Sequence, residues 1–194
     1  MIKGFMVKYK IKMIGPYNHS DYGYQKLFRA IYGYTQVVTK SSGKKYVYHR
    51  PGVLSNYPYI KKGKNEVILT KEGFSRFIDF LKTGRNPTHK WEEKGNWTSS
   101  YSMYDIDILD QQIEKAMFNL IKGTFVLTPE GINRRILDVL EDIDSGVVYD
   151  ENLMRMYDKK IKEIQILEWY NLSLSNATIK RFDVLSKKLK NKIL

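Results

Sequence analysis

The residues best suited to chemistry in this sequence are lysines interleaved with tyrosines, and they fall in two groups before residue 65. Lysine ammonium groups bind phosphate oxygens as point charges, and tyrosine rings can stack on nucleic-acid bases. The first group surrounds a Gly-containing turn and comprises Lys40, Lys44, Lys45, Tyr46, Tyr48 and Arg50. The second group surrounds Gly63 and comprises Lys61, Lys62 and Lys64. These nine residues predict a surface that binds a nucleic-acid backbone. The alternative is that the tyrosines pack a core and the lysines are solvated.

Acidic residues offer a competing chemistry. Asp105, Asp107, Asp110 and Glu114 form the main acidic cluster. Asp110 and Glu114 would share one face of a helix, and carboxylates at that spacing can hold Mg²⁺ for a nuclease. The alternative, which we favour, is an acidic helix N-terminus stabilised by the helix dipole.

Other catalytic patterns are not present. Asp79 followed by Glu92-Glu93-Lys94 resembles a nuclease pattern, but the segment is too polar for the buried strand that pattern needs. The three histidines have neither zinc nor triad spacing, and no phosphate-binding Walker loop occurs. We therefore expect no catalytic residues, no metal and no cofactor, and the sequence favours a protein that is not an enzyme.

The charge is distributed unevenly. The 194 residues carry a net charge of +12. Residues 1–100 have 19 basic and 6 acidic side chains, a net of +13, whereas residues 101–194 have 14 and 15, a net of −1. Residues 180–194 are basic again. A basic field attracts polyanions and releases their counterions, which favours nucleic acid over an anionic membrane, a protein partner or simple solubility.

Composition narrows the class of protein further. Lysines outnumber arginines 25 to 8, which favours contact with the phosphate backbone over the reading of base edges. The chain has no cysteine, no apolar run of about 20 residues and no signal-peptide pattern. We expect a cytoplasmic protein with no membrane contact.

Apolar periodicity in the first part of the chain predicts both strands and helices. Residues 5–14 alternate apolar side chains with lysines, which predicts a half-buried strand with a basic outer face. A helix is expected from Ser20 to residue 31. Hairpins are expected over residues 35–49 and 60–69, and a second helix over residues 70–81.

The second part of the chain has mainly helical spacing. Helices are predicted over residues 106–121, 128–141, 151–169 and 175–190, with a short strand over residues 124–127. The helix over residues 151–169 has an apolar stripe that could join two copies as a homodimer, or dock on its own domain.

These elements predict an α+β fold in two modules. Residues 1–84 would form a basic α+β module that binds nucleic acid, and residues 85–100, rich in Gly, Asn, Pro, Thr and Ser, a linker. Residues 101–194 would form a mainly helical module with a basic C-terminal tail.

One internal repeat stands out. The segment Val67-Ile68-Leu69-Thr70-Lys71-Glu72-Gly73 matches Phe125-Val126-Leu127-Thr128-Pro129-Glu130-Gly131 at an offset of 58 residues. In both copies an apolar strand ends at leucine, and threonine would then cap a helix that has glutamate in its first turn.

This strand-to-helix junction resembles the end of the wing in winged-helix DNA-binding proteins. The resemblance implies a recognition segment at residues 50–57 and a basic wing tip at Lys61, Lys62 and Lys64 in the first copy. The second copy has almost no wing, and the hairpin over residues 35–49 lies where the family has helices.

Together, these features predict a nucleic-acid-binding regulatory or replication accessory protein, such as a viral or plasmid-encoded one. DNA is favoured over RNA. The alternatives are a structural or assembly subunit of a viral particle or ribonucleoprotein, and a metal-dependent nuclease.

Overall fold

The structure is a computed structural model that describes residues 2–15, 22–85 and 96–193. It confirms the α+β class. Along the chain the elements are β1 (Ile2–Met13), α1 (Tyr22–Tyr32), β2 (Tyr34–Thr39), β3 (Lys45–Arg50), β4 (Tyr59–Gly63), β5 (Glu66–Leu69), α2 (Lys71–Thr83), β6 (Trp97–Ile108), α3 (Asp110–Gly123), β7 (Phe125–Leu127), β8 (Asn133–Arg135), α4 (Ile136–Asp144), α5 (Glu151–Gln165), a 3-10 turn (Asn171–Ser173) and α6 (Ala177–Ile193).

The chain divides into two compact units, and the division differs from the predicted modules. The first unit contains Met1–Tyr34 and Arg50–Gln112, and the second contains Thr35–His49 and Ile113–Leu194. The hairpin of β2 and β3 therefore contributes to the second unit, although it precedes most of the first unit in sequence.

The first unit is built on an antiparallel sheet with the strand order β4-β5-β1-β6. The predicted alternation along β1 is confirmed, because Val7, Tyr9 and Ile11 are buried in the core that includes side chains of α1 and α2. The lysines between these residues lie on the opposite, exposed face. The sheet thus has one face covered by helices and one face that is basic along part of β1.

Strand β6 occupies residues that were predicted to end the linker and to begin a helix. Residues 97–108 pair with the whole of β1, from Trp97 opposite Met13 to Ile108 opposite Ile2. The apolar residues from Ile106 onward fit a helix as well as a strand, but only the strand supplies β1 with a second hydrogen-bonded neighbour. The helix α3 accordingly begins at Asp110, and residues 86–95 of the predicted linker lie outside the described residues.

Gly4 shows how closely β1 and its neighbours pack. A Cβ atom on Gly4 would lie 2.3 Å from Cδ1 of Ile108 and 2.9 Å from Cγ2 of Ile68. Both isoleucines are buried. Glycine is therefore required at this position for the three strands to approach each other.

The helix α1 confirms the first predicted helix, with Leu27 and Ile31 buried, while Ser20 lies outside the described residues. Residues 53–56 form a turn after the β2–β3 hairpin, and the predicted recognition segment, residues 50–57, is thus not a helix. The backbone N–H groups of Val53 and Leu54 donate to the carbonyls of Ala30 and Ile31, at 2.8 and 2.9 Å. This segment therefore supplies hydrogen-bond donors to carbonyl groups at the C-terminal end of α1.

The first copy of the repeated junction has the predicted structure. Strand β5 ends at Leu69, and the Thr70 hydroxyl accepts a hydrogen bond of 3.2 Å from the N–H of Gly73 in the first turn of α2. A Cβ atom on Gly73 would lie 3.2 Å from Cβ of Tyr57, so glycine also allows close packing here.

The second copy has a different structure, and the predicted helix over residues 128–141 is wrong at its start. Strand β7 ends at Leu127, and Thr128 to Ile132 form the turn of a hairpin with β8. Gly131 has a φ of +71°, in the left-handed region, and the Thr128 N–H donates to the Ile132 carbonyl at 2.9 Å. Proline followed two residues later by a left-handed glycine is typical of a hairpin turn. The helix α4 begins only at Ile136.

The second unit also contains most of α3 and the whole of α4, α5 and α6. Helices α4 and α5 both contact α6. The predicted stripe of α5 is buried within this unit through Tyr157, Ile161 and Ile164. The residues proposed for a homodimer along 151–169 are thus largely occupied inside one chain.

Within residues 2–15, 22–85 and 96–193, no helix combines the length and the apolar character that a bilayer span requires.

Candidate nucleic-acid interface

The β2–β3 hairpin carries most of the predicted site. Its turn spans residues 40–44, where the Gly43 N–H donates to the Lys40 carbonyl at 2.8 Å and the Lys40 N–H donates to the Lys44 carbonyl at 3.0 Å. Gly43 has a φ of +76°, which glycine adopts without strain. All residues of β2 after Tyr34 are exposed. The hairpin is thus a two-stranded ribbon with a regular, solvent-exposed turn.

Lysine and tyrosine side chains meet on one face of this ribbon. The ammonium groups of Lys40 and Lys44 lie 4.5 and 5.4 Å from the centre of the Tyr46 ring. The Tyr46 and Tyr48 rings follow each other on the same face, with centroids 6.5 Å apart and planes 20° apart. These four predicted residues are therefore brought together, and the two rings present a continuous aromatic surface beside two cations.

The opposite face anchors the ribbon on the β7–β8 hairpin. The His49 ring stacks on Phe125, with centroids 4.5 Å apart. The Asn133 amide donates to the Val47 carbonyl at 3.3 Å, and His49 Nδ1 shares a hydrogen bond of 3.1 Å with the Thr35 hydroxyl. Burial lowers the pKa of the His49 imidazole. Because these contacts use the opposite face of the ribbon, the lysine-tyrosine face does not pack against the core of the second unit.

Two residues predicted with this group do not join it. Lys45 alternates with Tyr46 along β3 and therefore projects from the opposite face, next to the turn. Arg50 is exposed at the other end of β3, and it belongs to the first unit. The cluster on the ribbon is thus smaller than predicted.

The predicted hairpin over residues 60–69 is confirmed as β4 and β5, with Lys64 in the turn and a register irregularity between Lys61 and Gly63. The Lys61 ammonium lies 4.9 Å from the Tyr32 ring, and Lys62 and Lys64 are exposed. This hairpin presents three cations at the edge of the first unit's sheet.

Several tyrosines of the first unit have a structural role. The Tyr9 and Tyr32 hydroxyls are hydrogen-bonded at 3.0 Å, and the Tyr32 and Tyr59 rings lie 5.4 Å apart. Burial raises the pKa of all three phenols. The alternative interpretation, in which tyrosines pack the core, is therefore correct for this group.

The basic C-terminal segment is partly neutralised within its own unit, since three of its six basic side chains form ion pairs. The Lys188 ammonium lies 2.7 Å from the Asp144 carboxylate, and Lys187 lies 2.7 Å from Asp183. Arg181 pairs with Glu141 at 2.8 Å. These ion pairs reduce the charge that the segment offers to a polyanion.

By contrast, the lysines and arginine of the predicted site have no ion pair with any residue that the structure describes. Net charge does not separate the two structural units in the way that it separates the two halves of the sequence. Counted by structural unit, the first has 16 basic and 9 acidic residues, a net of +7, and the second 17 and 12, a net of +5. Lysines without an ion pair to a described residue also occur elsewhere, as at Lys180 and Lys190 of α6, so the combination of such lysines with the Tyr46 and Tyr48 rings distinguishes the ribbon.

The predicted acidic cluster does not form one site. Asp105 and Asp107 lie on β6, where Asp107 pairs with Lys3 at 2.8 Å. Glu114 lies on α3 and accepts a hydrogen bond of 2.6 Å from the Ser175 hydroxyl. Among the described residues, no three His, Asp or Glu side chains are placed to hold a metal ion.

One basic surface was not included in the predicted site. Lys8, Lys10 and Lys12 project from the outer face of the sheet, directly opposite hydroxyl residues of β6. The alternation of residues 5–14 indicates the lysines, but their neighbours were hidden because residues 97–108 were predicted as linker and helix.

Comparisons with protein-family models, with curated proteins and with solved structures find no significant match to this chain.

Proposed function

We propose that this protein binds nucleic acid, with DNA favoured over RNA, and that the β2–β3 ribbon contacts the phosphate backbone. Such a protein would act as a regulatory or replication accessory factor. The proposal rests on the residues of the ribbon and on their surroundings in the second unit.

A single observation carries the proposal. Lys40 and Lys44 lie against the Tyr46 ring and form no ion pair with a described residue, although Lys44 is near enough to the Glu130 carboxylate to interact with it electrostatically. Lys187 and Lys188 of α6, by contrast, are paired with acids. Cations without an acidic partner are available to phosphate oxygens, and their binding releases counterions. The lysine-tyrosine face therefore combines available charge with an aromatic surface.

The form of the ribbon supports a duplex ligand. The major groove of B-DNA admits a two-stranded β-ribbon as well as a helix. In the ribbon, lysines outnumber arginines, which suits contact with the backbone more than reading of guanine edges. We expect affinity with little sequence preference.

Fluorescence anisotropy with labelled duplex DNA, single-stranded DNA and RNA, each across a salt series, tests this function. We expect binding at about 50 mM salt and a linear fall of log K with log salt, with a slope of about −0.9 per phosphate contacted on a duplex. The absence of binding to all three ligands at that salt would exclude the proposal. It would favour an assembly subunit, for which size-exclusion chromatography with light scattering should then show a stable oligomer.

A further inference from the structure

The outer face of the first unit's sheet has an unusual pairing of lysines with small hydroxyl residues. In the ladder between β1 and β6, Lys8 faces Ser102, Lys10 faces Ser100, and Lys12 faces Thr98. Facing residues of an antiparallel pair project from the same side of the sheet. Three long cationic side chains therefore stand beside a row of three short hydroxyl groups.

This arrangement leaves an open, shallow concavity. Its volume is about 370 Å³, and residues of both strands line it, among them Lys8, Lys10, Ser100 and Ser102. Ser100 and Ser102 are exposed. The concavity thus combines two serine hydroxyls with lysine side chains, and tyrosines complete its lining.

The lysines of this face differ in their surroundings. The Lys8 ammonium lies 3.0 Å from the Glu66 carboxylate, which raises the pKa of Lys8. Lys10 and Lys12 have no ion pair with a described residue. Their positions two residues apart on one face place their Cα atoms roughly 6.6 Å apart. Two cations at this spacing can contact neighbouring phosphates of one strand.

An aromatic side chain lies at one end of the same row. Tyr104 faces Met6 in the ladder and is 44% exposed. The row from Thr98 to Tyr104 spans six residue steps, or roughly 20 Å of strand. A phosphate-binding row that ends in an exposed ring is an arrangement that suits an unpaired strand, since an unpaired base can stack on it.

We propose that this face, through Lys10, Lys12 and the Ser100 hydroxyl, binds the sugar-phosphate backbone of a single-stranded nucleic acid. The inference rests on the proposed function for the class of ligand, but it uses another surface. A flat sheet face offers no ribbon or helix to a major groove, whereas single strands are bound on open surfaces that combine cations with aromatic rings. The protein would thus have one surface for duplex DNA and another for a displaced single strand.

Binding of a labelled single-stranded oligonucleotide to the full-length chain tests the inference. The variant K10Q/K12Q should weaken binding by roughly five- to thirtyfold and reduce the magnitude of the salt slope by about 1.4, because two phosphate contacts are lost. The matched control is K71Q/K82Q, which removes the same charge from exposed positions on α2, the helix packed on the other face of the sheet. It should change the affinity less than twofold.

Two further variants test the geometry. Ser100→Glu places a carboxylate directly opposite Lys10 and should weaken binding at least as much as K10Q/K12Q. Glu66→Gln removes the acid that pairs with Lys8 and should strengthen binding to the single strand. Misfolding would weaken binding, so it cannot account for a variant that binds more tightly.

The outcome separates this inference from the proposed function. If K10Q/K12Q and Ser100→Glu bind the single strand as tightly as the parent chain does, the assignment of this face is wrong, whatever the ribbon does. If the parent chain binds duplex DNA but no single strand, this inference is also excluded and the proposed function remains. If the parent chain binds neither ligand, both are excluded.

Discussion

The Lys40 ammonium lies 4.5 Å from the centre of the Tyr46 ring, and the Lys44 ammonium lies 5.4 Å from the same ring. A cation over an aromatic face at an exposed site is stabilised by about 0.5–1 kcal/mol. The ring therefore restricts two lysine side chains that would otherwise lose more entropy on binding a phosphate. Tyr46 thus holds two lysine ammonium groups in place and also offers a surface on which a base can stack.

This role predicts a graded response to substitution of Tyr46. Tyr46→Phe keeps the ring and should leave the affinity for duplex DNA within about twofold. Tyr46→Leu removes the ring and should lower that affinity by roughly three- to tenfold, since both lysines lose their aromatic contact. Anisotropy measures the affinities, and circular dichroism checks that both variants are folded. Equal affinities for the two variants would show that the ring does not organise the lysines.

The two copies of the repeated junction predict opposite orders of stability for the same substitutions. Gly73 lies in the first turn of a helix, whereas Gly131 has a φ of +71° in a hairpin turn. Asparagine tolerates the left-handed region better than alanine, and alanine has the higher helix propensity. Urea denaturation should therefore rank Gly131→Asn above Gly131→Ala, and Gly73→Ala above Gly73→Asn.

Both effects should be about 0.5–1 kcal/mol in the free energy of unfolding. A Cβ atom at Gly73 meets Tyr57 in either variant, so this contact lowers both stabilities without setting their order. The same order at both positions would mean that the two junctions share one structure.

The anchoring of the ribbon should depend on pH. Burial lowers the pKa of His49 below its ordinary value of 6.5, so the unfolded chain binds a proton more readily than the folded ribbon. The stability that this histidine contributes is complete above about pH 6.5 and is lost as the pH falls through and below that value. Amide hydrogen exchange in β2 and β3, corrected for intrinsic rates, should therefore show weaker protection at pH 5 than at pH 7.5.

A matched pair of variants isolates this effect. His49→Phe retains a ring that can stack on Phe125 and should abolish the pH dependence in the ribbon. His89→Phe removes a different histidine and keeps His49, so it should retain the pH dependence in the ribbon. A pH dependence that survives in His49→Phe would assign the titration to another group.

Local patterns predicted much of the first unit and the β2–β3 hairpin of the second. The alternation along β1, the two hairpins and the Thr70 cap are all short-range signals, and the structure has each of them. They could be read from sequence because a period of two, and a capping residue followed by helical periodicity, depend only on residues that are close in sequence.

The errors arose where a partner distant in sequence decides the structure. Residues 97–108 are compatible with more than one structure locally, and their pairing with β1, which begins 95 residues earlier, makes them a strand. The sequence Thr-Pro-Glu-Gly suits both a helix start and a turn, and here it forms the turn between β7 and β8. The ion pairs of Lys188 and Arg181 likewise depend on α4, more than 35 residues away.

The same limit explains the candidate site. Interleaved lysines and tyrosines were visible in sequence, and Tyr46 and Tyr48 do share a face. Alternation along β3 alone separates Lys45 from this face, whereas the hydroxyl row of β6 required the strand pairing to be known. The winged-helix resemblance stays a prediction, with its two junctions now known to differ in structure.

The most direct test of the central claim compares two triple variants in their affinity for duplex DNA across a salt series. K40Q/K44Q/K45Q removes the two lysines of the lysine-tyrosine face, together with Lys45, which projects from the other face of the ribbon next to the turn. K159Q/K180Q/K190Q removes three exposed lysines from α5 and α6 that have no ion pair with a described residue. The account predicts that the ribbon variant loses at least tenfold in affinity, with a salt slope smaller in magnitude by about 2 to 3, while the helix variant stays within threefold of the parent chain. Equal losses from the two variants, or a larger loss from the helix variant, would contradict it.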